Sequence, residues 1–212
     1  MMETNDLIKN LASNTKTIKP LRTPANWIAI LSGFGFFYYI LIQLFLGVRS
    51  DFSEKILQPI FITEIFLLLL LFFSCISSAA LMIYPDSYQK PQLLKAPYFV
   101  VIILIFFFGA EVFEQSSNNT LILDHGLKCT LCIASLTIVP SLYFFYIIRK
   151  GANINPLKSG FFSVSAASAI SAIALRMHEQ QDAILHLLTW HYLPILLFST
   201  IGSLIGRIIF KW

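Results

Sequence analysis

The chain has 212 residues, of which 57% are hydrophobic and 12% charged; 20 are Phe, the mean hydropathy is +0.74 and the net charge is +4. A soluble domain carries roughly a quarter charged residues, and a soluble core of this length cannot hide so much apolar surface. The composition excludes an ordinary soluble enzyme, a disordered chain and a small disulfide scaffold, and leaves an all-α polytopic membrane protein.

The chain opens on a tail, residues 1–25, ahead of a transmembrane domain over 26–212. Thr4 or Asn5 can cap a short helix, with Asp6 in its first turn. Leu7, Ile8, Leu11 and Ala12 then share one helical face. Lys16, Lys19, Pro20, Arg22 and Pro24 follow, and the prolines end any helix there. Two readings stay open: an interfacial helix with a positively charged anchor, or a helix that docks its apolar face in a partner's groove.

A bilayer core is about 30 Å thick, so a spanning helix needs roughly 20 apolar residues. Six segments qualify: 27–48, 59–84, 96–113, 129–148, 160–175 and 187–210. The second holds FLLLLLFF at 66–73 and the third VVIILIFFF at 100–108. The fifth is Ser/Ala-rich, small rather than greasy, and suits close approach of neighbouring helices. Gly33 and Gly35 in the first span, and Gly202 and Gly206 in the sixth, serve the same packing. Pro140 and Pro194 are expected to kink their helices. The first segment is too long for a signal-peptide core and is read as retained.

The loops orient the bundle. With the N-terminus cytoplasmic, 11 of the 15 Lys and Arg residues fall inside, and only Arg49, Lys55, Lys128 and Arg176 fall outside. Basic residues are retained on the cytoplasmic side, which predicts N-in and C-in. Eight of the 11 acids fall on the outer side. The net charge is therefore the remainder of an orienting asymmetry, and no direct nucleic-acid contact is implied. The longest loop, 111–128, leaves no room for a soluble domain.

Three features carry possible chemistry. Cys129 and Cys132 form a C-x-x-C at the outer start of the fourth span, where i and i+3 face the same way; Cys75, deep in the second span, reads as packing. All four histidines, His125, His178, His186 and His191, are predicted on the same outer side. Thiolate and imidazole are ligands for Zn or Cu, and Glu179 and Asp182 can add oxygen; ordinary interfacial polarity is the competing reading. Glu64 is an intramembrane acid near the outer end of its span, a functional candidate by default, with Arg49, Asp51 and Glu54 as expected neighbours. Gln43 is expected to hydrogen-bond across helices.

The order of these features resembles the NrsF family, the negative regulators of sigma-F. Thr4-Asn5-Asp6-Leu7-Ile8 with Leu11-Ala12 is similar to the family's opening T-D-x-L-I-x-x-L-A, and Leu21-Arg22-Thr23-Pro24 to its R-L-R-P-P. Gly47-Val48-Arg49-Ser50-Asp51 resembles G-x-R-x-D; Pro59, Phe61 and Glu64 resemble P-x-F-x-x-E. Cys129 and Pro140 match a Cys and a Pro at the family's spacing. Arg149-Lys150-Gly151-Ala152 with Pro156 resembles R-R-G-A-P-x-x-P, and Trp190, Gly202, Gly206-Arg207 and Lys211-Trp212 resemble the final span.

The resemblance implies a bacterial inner-membrane anti-sigma factor without a cofactor. It would hold an extracytoplasmic-function sigma factor inactive at the cytoplasmic face until envelope, metal or oxidative stress releases it. The tail would contact the sigma factor through Asp6, Leu7, Ile8, Leu11 and Arg22. The family's two outer cysteines imply a sensor. The first maps onto Cys129; the second falls where this chain reads His178-Glu179, with Glu in place of Cys. Cys132, His178 and Glu179 therefore join Cys129 as thiol or metal-sensing candidates. Two other classes stay open: a membrane thiol–disulfide oxidoreductase using Cys129 and Cys132, and a small transporter with Glu64 as its coupling acid.

Overall fold

A computed structural model describes residues 4–13, 21–114 and 123–210. The side chains of Leu7, Leu11 and His125 lie outside the described residues, as do Lys16, Lys19, Pro20 and the terminal Lys211-Trp212. Every regular element among the described residues is helical. In chain order these are α1 (Thr4–Ser13), α2 (Pro24–Leu46), the single turn α3 (Phe52–Lys55), α4 (Pro59–Leu81), α5 (Pro91–Glu114), α6 (Leu123–Ile148), α7 (Pro156–Arg176) and the last span. That span opens with the turn α8 (Ile184–His186), continues as a π-helical stretch (Leu187–Tyr192) and finishes as α9 (Leu193–Ile209); a short 3₁₀ turn (Ser87–Gln89) precedes α5. Among the described residues, six helices are long and apolar enough to cross a membrane.

The helices differ from the hydropathy spans mainly at their starts. Proline stands in the first turn of α2, α4 and α7, and Pro91 opens α5. A missing N–H costs nothing there, because first-turn amides have no intrahelical partner. Thr23 Oγ1 accepts from Asn26 N, and Asn155 Oδ1 accepts from Lys158 N, which caps α2 and α7. Polar first turns thus remain helical although they add nothing to hydropathy, so α5 and α6 begin upstream of the apolar runs.

The least apolar span sits at the centre. Helix α7 is buried along nearly its whole length and packs against α4, α6 and α9. Small side chains let backbones approach, and van der Waals contact replaces the hydrophobic drive that lipid removes. Its serines back-bond within the helix: Ser163 to Ser159 O at 2.6 Å, Ser165 to Phe161 O at 2.9 Å and Ser171 to Ala167 O at 2.8 Å. Ser165 also meets Ser199 of α9 at 2.7 Å. A Cβ on Gly160 would lie 2.2 Å from Gly202 O, and one on Gly206 would lie 2.6 Å from Pro156 O. Gly35 makes the equivalent approach to the Phe72 ring, whereas Gly33, expected in the same role, faces open space.

Among the described residues, three prolines interrupt helical spans, and each frees the carbonyl four residues earlier. Pro140 frees Leu136 O, which accepts from Tyr38 Oη of α2 at 2.8 Å. Pro97, inside α5, frees Leu93 O, which accepts from Ser78 Oγ of α4 at 2.8 Å. Pro194 frees Trp190 O, which accepts from Thr130 Oγ1 of α6 at 2.9 Å. An unsatisfied carbonyl in lipid is costly, so each proline carries a neighbouring hydroxyl. Gln43 makes the expected cross-helix bond, to Ala174 O at the end of α7, at 2.8 Å.

Candidate functional site

Two polar clusters share one rim of the bundle, where α2 and α7 end and α4, α6 and the last span begin. The first is built on Glu64, which is 1% exposed. Arg176 Nε donates to Glu64 Oε1 at 2.8 Å, and the Tyr192 hydroxyl donates to the same oxygen. The expected neighbours of Glu64 are therefore replaced. Arg49 turns instead to Asp51 at 2.7 Å and to Asp182 at 3.1 Å. Asp182 also takes Arg176 Nη1 at 2.6 Å and Lys55 Nζ at 2.6 Å. The Phe61 ring lies 5.7 Å from the Arg49 guanidinium and 5.2 Å from that of Arg176.

Asp182 is the hub of this network. Partial burial opposes its ionisation, yet the bonds from Arg49 and Lys55 and the charge of Arg176 outweigh burial and hold its carboxyl well below the usual range. Arg49 is held correspondingly high by its bond to Asp51, against a desolvation that works the other way. The network ties α2, α4, α7 and the connection after α7 into one ionic clasp. The sequence places Arg176 112 positions beyond Glu64, so pairing within four residues cannot reveal it.

The second cluster joins α6, the connection after α7 and the last span. Cys129 Sγ donates to Glu179 Oε1 at 3.2 Å. His186 Nε2 lies 3.4 Å from the same oxygen, and His191 Nε2 lies 3.0 Å from Glu179 Oε2. One ligating atom from each of the four lies within 4.8 Å of the other three. Cys129 is 5% exposed, Glu179 9%, and His186 and His191 1% each.

Local sequence explains the convergence. Gly126, Cys129, Thr130 and Ile133 fall at i, i+3, i+4 and i+7, one face of α6. Gly126 leaves room for the Trp190 ring, which a Cβ would meet at 2.3 Å. Thr130 holds Trp190 O, so the start of the last span lies along that face. The amide of Arg49 donates to Met177 O at 2.9 Å, and the amide of Glu179 donates to Leu175 O at 2.8 Å, which fixes the connection.

Of the sequence-predicted sensor residues, Cys129 and Glu179 meet. Cys132 lies half-buried beside them against Cys129, Ile133 and Leu175 and is not among the four converging residues. His178 turns away, its Nδ1 3.2 Å from Gly47 O. His186 and His191 complete the cluster instead. In an α-helix, residues five apart point about 140° away from one another, so no α-helical pattern pairs them. The π-stretch, with its i→i+5 bonds, brings them to one face. In the tail, Ile8 is 58% exposed on α1, and Arg22 stacks its guanidinium 5.7 Å from the Trp27 ring.

Six apolar helices among the described residues fit a multi-pass membrane protein. Residues 11–212 match the family described as NrsF, negative regulator of sigma F. The chain belongs to that family, and negative regulation of a sigma factor is its role. No curated protein and no solved structure matches the chain.

Proposed function

We propose that the protein is a bacterial inner-membrane anti-sigma factor. It holds an extracytoplasmic-function sigma factor at the cytoplasmic face and releases it under envelope, metal or oxidative stress. The family match over nearly the whole chain carries this reading. The N-in, C-in orientation rests on the basic bias of the segments that would lie inside. Residues 1–25 form the sigma-binding unit, with Asp6, Leu7, Ile8, Leu11 and Arg22 as contacts, and 26–212 form the membrane unit. The exposure of Ile8 supports a docking role, since an exposed apolar side chain on a short helix gains by burial in a partner's groove. The match begins at residue 11, so Asp6, Leu7 and Ile8 rest on the resemblance of residues 4–12 to the family's opening, and Leu7 and Ile8 also on the tail's amphipathic pattern.

The sensor lies at the opposite, outer rim, around Cys129, Cys132, His178 and Glu179. A ligand there that favours one helix arrangement over another shifts the population of tail presentations. Cys129 bonded to a carboxylate, with Cys132 outside the converging group, favours sensing over a disulfide relay. Glu64 in an ion pair with Arg176 favours a structural clasp over a coupling acid.

Deleting residues 2–20 tests the tail. Transcription from the sigma factor's promoters should rise while the spans still insert. Unchanged transcription with the truncated protein present in the membrane overturns the assignment.

A further inference from the structure

Four side chains from three separate segments converge at the outer rim: Cys129 of α6, Glu179 of the connection, and His186 and His191 of the last span. We infer that Cys129, Glu179, His186 and His191 form a four-coordinate site for a zinc-class divalent cation. The binding claim stands on the geometry alone; only its effect on sigma release rests on the anti-sigma reading.

The distances suit such an ion. Zinc sits about 2.0–2.3 Å from S, N and O ligands. Tetrahedral geometry then sets ligand atoms about 3.3–3.7 Å from one another. The contacts onto Glu179 are 3.2, 3.4 and 3.0 Å, and all four atoms lie within 4.8 Å. Small rotamer adjustments therefore suffice to surround one centre.

The donor set selects the metal. One thiolate and two imidazoles suit borderline and soft cations and disfavour calcium and magnesium, which demand oxygen. Charge also balances. Cys129 as thiolate and Glu179 as carboxylate supply two negative charges, which neutralise a divalent ion in a low-dielectric setting. The thiol proton leaves to water on binding. Four protein ligands close the coordination sphere, which marks a structural or sensory site rather than a catalytic one.

The backbone is built to the same end. Without the π-stretch His191 would swing away from His186. Such π-turns concentrate at functional positions, and this one is clamped to α6 by Trp190 over Gly126 and by Thr130. An ion at this point ties α6 and the last span to the end of α7.

The test uses the full-length protein in detergent, stripped with chelator and reloaded. Equilibrium dialysis with zinc should give one ion per chain, and calcium at the same concentration none. Cadmium should produce a thiolate charge-transfer band in the ultraviolet, absent from C129S. Zinc affinity should fall at least about tenfold in E179Q and in H191Q, and stay unchanged in C75S, whose thiol is buried outside the cluster. A wild-type protein that binds no zinc and shows no cadmium–thiolate band overturns the site, as does a zinc affinity in C129S and H191Q equal to wild type. Promoter activity is read separately: zinc bound, with sigma release indifferent to C129S, leaves the site standing and removes its sensory role.

Discussion

At the residue scale, the Glu64–Arg176 pair decides most. Both groups are withdrawn from water, Glu64 at 1% and Arg176 at 4% exposure. Removing Arg176 leaves Glu64 an uncompensated buried charge and costs about 3–5 kcal/mol, removing Glu64 leaves the buried guanidinium with Asp182 alone, and replacing both by apolar groups is far cheaper. Glu64→Leu and Arg176→Met should each lower the unfolding temperature in detergent more than the double variant does. Additive losses would show that the two do not act as a pair. Asp182 sets the acid limb. Its folded carboxyl lies below the unfolded value of about 3.9, so its contribution is complete above that pH and is lost as pH falls through the lower, folded value. Thermal scans should show Asp182→Asn less stable than wild type near neutrality, with the difference closing as the pH drops below about 4.

At the element scale, the π-stretch has a testable origin. A π-turn is an α-helix with one residue more than the α-helical register needs. Deleting Thr189 should convert it to α-helix, set the two histidines four apart on one face, and leave α9 in register. The shortened protein should insert, and it should still bind zinc. Loss of binding in a folded deletion variant would show that the π geometry itself is required. The proline devices also belong to this scale. Tyr38→Phe, Ser78→Ala and Thr130→Val each orphan one carbonyl and should each cost on the order of 0.6–2 kcal/mol in detergent unfolding. Thr130→Val should in addition weaken zinc binding, because that bond holds the last span to α6.

For the whole molecule, the α7–α9 seam is the keystone. A side chain on Gly202 would meet Val164 Cγ2 at 2.3 Å, and Gly160 and Gly206 already touch backbone. Gly202→Leu should separate the helices, seen as loss of a monodisperse species in detergent. Because α7 also carries Arg176 and leads into Glu179, the same variant should disturb both rim clusters. A Gly202→Leu protein with unchanged unfolding temperature and zinc affinity would show that the seam tolerates the expansion.

The sequence by itself determined the class, the number of spans and the family. Those follow from composition, from apolar runs about as long as a bilayer is thick, and from motifs read in order along the chain. It also marked Cys129, Glu179 and Glu64 as chemically significant, because polar groups in so apolar a chain need a reason. Only the tertiary structure decided their partners. Arg176 and Tyr192 reach Glu64 across more than a hundred positions, a separation that no local spacing encodes. His186 and His191 were visible as histidines, but an α-helical register points them apart, and the π-turn unites them where the Trp190 ring lies over Gly126. The Ser/Ala span reads as the weakest membrane helix and proves to be the central one, because packing between helices in lipid rewards small surfaces rather than greasy ones.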